Sequence, residues 1–244
     1  MASGETRDEI RFFEENGYLP IPRFVEPDLL ARVEARCADE LARAAGVTAD
    51  DPLIVYEKTP DGAPRVIRRL SRMADRDDAF MGVACHPTAR EYLQAFLGGD
   101  VELYLNRHNM LNVKAARSGG EFEWHTDGGG WGNNDIISLF VAIDPATLEN
   151  GCLEVVPGSH RLTNLAVKDK YFLDLSVPAN REIAARAVKL PCEPGAGVFF
   201  HSRTLHSSQP NRTDRNRRSL IFAYLTSLAR AANTSGKPIE AVRL

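Results

Sequence analysis

His125-Thr126-Asp127 stands in a stretch whose composition reads as strand, and in extended backbone residues i and i+2 point to the same face. An imidazole and a carboxylate placed in this way can meet at one divalent ion. A second imidazole from a distant strand would complete the two-histidine, one-carboxylate face that suits non-haem Fe(II) and leaves coordination positions open. His201 and His206 both follow apolar runs and compete for that third place. An H-x-D pair is common by chance, so its weight depends on its neighbours. The Arg215-Asn216-Arg217-Arg218 run could be a solvated basic turn or a nucleic-acid patch, but alternation into a strand lets only one of Arg217 and Arg218 point inward. Gly128-Gly129-Gly130 lacks the lysine and the hydroxyl residue of a phosphate loop and reads as backbone freedom beside the histidine. His86, His108 and His160 read as surface or hydrogen-bonding histidines, and Trp124 and Phe140 as core.

The elements that must carry these residues fall into two groups. Thr6-Arg7-Asp8-Glu9 has capping-box spacing ahead of a short helix stopped by Gly17. Tyr18 to Pro22 should be extended, because proline disfavours helix in the residue before it. Leu29, Val33, Cys37 and Leu41 recur every four residues up to Gly46 as a second helix, and a third runs from Pro87 to Gly98-Gly99. From Val101 the pattern turns to strands: Val101, Leu103 and Leu105 alternate with polar neighbours, and Ile136–Ile143, Gly197–Phe200 and Leu220–Leu225 are apolar runs between turn signals. Arg161 to Arg186 interrupts this rhythm with a polar excursion, and such a long connection in a compact domain suggests a mobile cover in which Tyr171 and Phe172 close over a substrate. Ala231 to Leu244 reads as a loose tail.

The sequence around these residues resembles the phytanoyl-CoA dioxygenase family, and the ectoine hydroxylase branch in particular. Phe122-Glu123-Trp124-His125-Thr126-Asp127 is similar to that family's aromatic run into its H-x-D motif, and Trp131 stands where the branch places a tryptophan. Glu149 to His160 matches the NG-C-L…PGSH signature, and Phe12 to Tyr18 matches an N-terminal one. Leu205-His206-Ser207-Ser208 and Arg217 carry the distal histidine, a serine two residues on and an arginine eleven residues on (217 − 206 = 11). The likeness spans about residues 8 to 226. It implies a mainly β fold with packed N-terminal helices, a double-stranded β-helix of the jelly-roll, cupin-like kind. It also implies Fe(II), 2-oxoglutarate and O2 as cofactor and cosubstrates, with His125, Asp127 and His206 as iron ligands and His206 preferred to His201. A guanidinium fork matches a carboxylate bidentately, so Arg217 should bind the distal carboxylate of 2-oxoglutarate, with Ser208 adding a hydroxyl. Arg217 should lie on the strand after the one bearing His206, antiparallel to it if a tight turn through Asn211 to Asp214 joins them. The resemblance further places Asn112 and Phe122 at the cosubstrate and Trp131 at the substrate. The family has a tryptophan near Phe140, from which this chain departs.

Hydroxylation of an unactivated C–H bond in a small polar or amino-acid-like metabolite follows from this reading, with desaturation, epimerisation or ring closure as other outcomes of the same cofactors. A cupin-type metalloenzyme that does not use 2-oxoglutarate and a non-catalytic binding barrel are the rival classes. The chain's 244 residues suit one domain, 1–244, with a helical part of about 6–98 and a jelly-roll core of about 101–226. A net charge of −3 gives no cationic surface for nucleic acid. No apolar run is long enough for a membrane, and an acidic start without an apolar core argues for a cytoplasmic protein with a small-molecule substrate. Cys37, Cys85, Cys152 and Cys192 form no C-x-x-C pair and read as buried reduced thiols.

Overall fold

The structure, a computed structural model, describes residues 4–57, 64–128, 136–169, 171–233, 236 and 238–244. Helix α1 (Gly4–Asn16) starts ahead of the expected capping box, so Thr6 lies inside the helix and is not its cap. Gly17, at φ 78°, ends the helix in a conformation other residues rarely adopt. Strand β1 (Tyr18–Ile21) follows, and then α2 (Pro27–Ala45), whose four-residue repeat buries Val33 and Cys37, with Ala44 buried in the last turn. A hairpin, β2 (Ile54–Tyr56) and β3 (Ile67–Ser71), and the short helix α3 (Asp78–Ala84) were not legible in the sequence. Each is too short to establish a period. Helix α4 (Pro87–Leu97) has proline in its first turn, and the His86 side chain accepts the Thr88 N–H as cap.

The remaining strands are β4 (Val101–Tyr104), β5 (Asn109–Lys114), β6 (Phe122–His125), β7 (Ile137–Ala142), β8 (Leu153–Val155), β9 (Val188–Leu190), β10 (Gly197–His201), β11 (His206–Ser208), β12 (Arg217–Thr226) and β13 (Ala241–Arg243), with short helices α5 (Pro178–Ala184) and α6 (Ser227–Ala231). They form a nine-stranded sheet, in the order β1-β10-β7-β12-β5-β3-β2 with β4 also paired to β12 and β13 to β4, and a four-stranded sheet in the order β6-β11-β8-β9. One apolar core lies where the helices pack on the larger sheet. A second lies between the sheets, where Leu153 and Val155 meet Met110, Phe140, Val198, Phe200 and Ile221. The result is the open sandwich of a jelly roll, and the described strands close no barrel.

Three expectations need correction. Strands β11 and β12 do not pair, because β11 belongs to the smaller sheet and β12 to the larger, so the link between them crosses the sandwich. Asn211 holds this crossing, its Nδ2 donating to the Lys114 and Arg215 carbonyls. Strand β4 is buried along its whole length, where alternation had suggested a polar face, and Glu102 on it is paired with Arg230. The end of the chain is not loose, since β13 pairs with β4 and satisfies backbone groups that an edge strand would expose. No helix among the described residues is long and apolar enough to cross a membrane.

Candidate metal centre and its pocket

His125 and His206 face each other across the β6–β11 ladder as register partners, and directly opposed residues of antiparallel strands share a face. Their ring centroids are 4.2 Å apart. Asp127 follows β6 in the chain, and its carboxylate oxygens lie 3.9 Å from His125 Nε2 and 3.9 Å from His206 Nε2. One ligand atom from each of the three lies within 4.8 Å of the others. The remaining ring nitrogens are committed elsewhere: His125 Nδ1 is 2.6 Å from the Glu123 carbonyl and His206 Nδ1 is 2.8 Å from the Thr204 carbonyl. A carbonyl only accepts, so Nδ1 carries the proton of each neutral imidazole and Nε2 keeps its lone pair for a metal.

For His206 the electrostatics favour the neutral form. Burial and the neighbouring His125 push His206 down to about 4. Burial alone would raise Asp127, but His108, His206, His125 and the Ser138 hydroxyl outweigh it and hold the carboxyl below its usual range. His201 lies apart, its Nδ1 accepting the Arg203 N–H at 3.0 Å and its ring beside His160.

The triad opens on a cavity of about 300 Å³. Ser208, Asn112, Phe122 and Arg217 all line it, whereas Trp131 lies outside the described residues. Arg217 reaches the cavity from the opposite sheet, 4% exposed. It donates to the Ser219 hydroxyl at 3.0 Å and the Gly151 carbonyl at 2.9 Å, while its Nε has no partner. No carboxylate pairs with it among the described residues, and burial lowers it to about 10. Arg218, its neighbour, points the other way and grips Asp144 bidentately at 2.8 and 2.7 Å. A buried guanidinium left with neutral partners is costly unless an anion joins it.

The residue pattern of that family's model matches this chain over residues 13–219, under the description Phytanoyl-CoA dioxygenase (PhyH). The chain belongs to the phytanoyl-CoA dioxygenase family. It is therefore an iron- and 2-oxoglutarate-dependent dioxygenase by class. An ectoine dioxygenase of Stutzerimonas stutzeri (strain A1501) is 27% identical, covering 87% of this chain and 74% of the relative. An L-proline trans-4-hydroxylase of Streptomyces griseoviridis is 26% identical, covering 93% and 88%. The fold likeness extends to a crystal structure of the epimerase SnoN with Fe3+, alpha ketoglutarate and nogalamycin RO, with a TM-score of 0.76 and 20% identity, covering 91% of this chain and 84% of that one.

Two residues that shape this family member's centre were missed in the sequence, His108 in the cavity wall and Lys114 behind it. His108 sits at φ 42° with Nδ1 3.5 Å from Asp127, and its only sequence signal is a turn between two strands. Lys114 is buried and donates to the carbonyls of Gly120 (2.7 Å), Ser208 (3.3 Å) and Gln209 (2.5 Å), fastening the chain ahead of β6 to the end of β11. A lysine in an apolar run gives no hint of that.

The excursion after Arg161 is folded against the centre. Leu173 N–H donates to the Trp124 carbonyl and Thr126 N–H to the Tyr171 carbonyl, which adds residues 171–173 to the free edge of β6. Tyr171 and Phe172 line the cavity beside His125.

Proposed function

We propose that the iron is held by His125, Asp127 and His206, that Arg217 with Ser208 and Ser219 binds the distal carboxylate of 2-oxoglutarate, and that the reaction hydroxylates an unactivated C–H bond of a small polar or amino-acid-like metabolite. The observation that carries this reading is Arg217, a buried cation with an unpartnered Nε and no carboxylate in ion-pair contact among the described residues, opening on the same cavity as the triad. A metal alone would not call for it, but a dicarboxylate bound to that metal would.

The donor set fits Fe(II): two imidazole nitrogens with their far sides fixed by backbone carbonyls, and one ionised carboxylate. When bound, iron together with 2-oxoglutarate and O2 supplies the oxidant that takes hydrogen from carbon. The protein's share is positional. The Glu123 and Thr204 carbonyls hold the ligand rings in one tautomer, Ser138 donates to Asp127, and Phe140, Phe200 and Ile221 give the cavity an apolar wall that keeps water from the reacting carbon. Asn112 and Phe122 flank the cosubstrate in this reading, and the family resemblance alone assigns Trp131 to the substrate. The relatives named for ectoine and L-proline act on small polar metabolites, which supports the substrate class.

Oxygen-dependent release of succinate from 2-oxoglutarate, measured across a panel of small metabolites with analysis of the stimulating compound's product, tests the proposal. A product gaining one oxygen atom is expected. Turnover that ignores 2-oxoglutarate would sink the reading, and a product that is an epimer, an alkene or a new ring would replace hydroxylation only.

A further inference from the structure

The larger sheet carries a second arginine into this cavity. Register places Ser219 of β12 opposite Asn112 of β5, and Asn112 opposite Arg69 of β3, so the three form one row across neighbouring strands and share a face. All of them line the cavity of the metal centre. Ser219 ends that row on β12, with Arg217 two residues before it along the strand, while Arg69 stands at the other end, two strand spacings or about 10 Å from Ser219. Arg69 Nε is buried without a hydrogen-bond partner, and so is Asn112 Oδ1 beside it. The adjacent Arg68 has a carboxylate, Glu57, at 2.7 Å. For Arg69 no ion pair occurs among the described residues, and burial followed by the nearby Arg68 depresses its pKa.

Charge decides what this arginine meets. Asp127 is the one carboxylate among the described residues of the cavity wall. Fe(II), Asp127, Arg217 and the two carboxylates of 2-oxoglutarate have no net charge between them, so Arg69 and Arg107 are the surplus cations of the wall once the cosubstrate is in place; Arg107 hydrogen-bonds Tyr104, whereas the Nε of Arg69 has no hydrogen-bond partner. Met110 and Ile221 occupy the next row of the sheet and Phe172 the rim, which offers apolar surface to the rest of a ligand.

Resting on the proposed function, we infer that the primary substrate is a small carboxylate with an apolar body, and that Arg69, assisted by Asn112, binds its carboxylate and thereby turns the body toward the iron. The planar fork of Arg69 suits a carboxylate's two oxygens. Asn112, which stands between Ser219 and Arg69 in the row, flanks the cosubstrate on one side and on the other offers its amide to the substrate as a further donor and an acceptor for a neighbouring N–H.

Isothermal titration of the enzyme loaded with Fe(II) and saturating 2-oxoglutarate under nitrogen tests this, with L-proline, benzoate and hexanoate as probes, each set against its own carboxamide. At least one acid should bind tenfold or more tightly than its amide, and Arg69→Met should abolish that preference while changing 2-oxoglutarate affinity less than twofold. If no acid is preferred, or the preference survives in Arg69→Met, the inference is wrong. It also fails if Arg69→Met weakens 2-oxoglutarate tenfold, since Arg69 would then belong to the cosubstrate. Should Arg69→Met not fold, Arg69→Lys keeps the charge and loses the fork: acid binding weakened threefold or more is expected, and unchanged acid binding overturns the inference. Absence of 2-oxoglutarate binding by the wild-type protein, read before any probe is added, would bring down the proposed function instead.

Discussion

Adjacent arginines on β12 have opposite roles because a strand sends successive side chains to opposite faces. Arg218 completes a bidentate pair with Asp144 on the outer side, whereas Arg217 enters the sandwich with only a hydroxyl and a carbonyl as partners. Arg217→Ala is therefore expected to raise the apparent KM for 2-oxoglutarate by on the order of a hundredfold, equivalent to about 3 kcal/mol for a desolvated carboxylate that has lost its partner. Arg218→Ala should leave that KM unchanged and lower the melting temperature. Steady-state kinetics on both variants checks this, and the reverse pattern would assign the cosubstrate to the wrong arginine. Among the histidines, His206→Ala should abolish activity and iron binding, while His201→Ala, whose ring lies against His160 away from the triad, should retain the iron measured by metal analysis.

Strand β6 carries one ligand and is bordered on one side by β11 and on the other by residues 171–173. The excursion thus resembles a flap tied to the ligand strand by backbone hydrogen bonds, and its movement would be felt at His125. Asn180 is its internal fastener: the buried side-chain amide donates to the Ala166 carbonyl at 2.7 Å and the Asp174 carbonyl at 2.8 Å. Asn180→Ala removes both bonds, at a cost of about 1–3 kcal/mol for the groups left unsatisfied. Faster amide exchange across 164–176 is expected, with a raised KM for the primary substrate and unaltered iron content. Cover over the bound substrate also predicts that exchange in the wild-type flap slows when 2-oxoglutarate and a stimulating metabolite are added together. Equal exchange in the two states would make the segment a fixed wall of the cavity.

For the molecule as a whole, the centre joins opposing sheets, with the triad on and beside the smaller one and Arg217 on the larger. Fe(II) and 2-oxoglutarate together should therefore stabilise the sandwich, by about 2.7 kcal/mol for a ligand at a hundred times its Kd. A melting temperature that rises with both and falls back on chelation is expected, and Asp127→Ala should show no rise. Lys114 adds a pH dependence. Burial, with Arg217 and Arg68 nearby, lowers it from 10.5 to about 7, while in the unfolded chain it titrates at about 10.4. Between those values the unfolded chain binds a proton that the native protein does not, so this residue makes stability rise with pH. It weighs most heavily against the fold below about 7. Denaturant unfolding at pH 7 and pH 10 should show wild type gaining on Lys114→Met as pH rises, although the variant, with three carbonyls left unsatisfied, is less stable throughout. A gap that narrows toward pH 10 would show that Lys114 keeps its charge.

Local periodicity and motif spacing settled a good part of this protein in advance. The repeat of Leu29, Val33, Cys37 and Leu41, the proline at the start of α4 and the apolar strand runs are properties of a few neighbouring residues, so they needed no tertiary information. The family resemblance and the jelly roll were legible for the same reason, since the motifs are short and contiguous. What the sequence could not decide depends on which strands pair. The separation of β11 from β12 into different sheets, the pairing of β13 with β4 and the edge of β6 taken by residues 171–173 arise from contacts between segments far apart in the chain. A turn signal at Asn211 to Asp214 marks a change of direction and leaves open whether the chain returns in the same sheet or crosses to the next. The same limit hid Arg69, His108 and Lys114, because an unsatisfied guanidinium, a left-handed histidine and a lysine caged by carbonyls are defined by what surrounds them after folding.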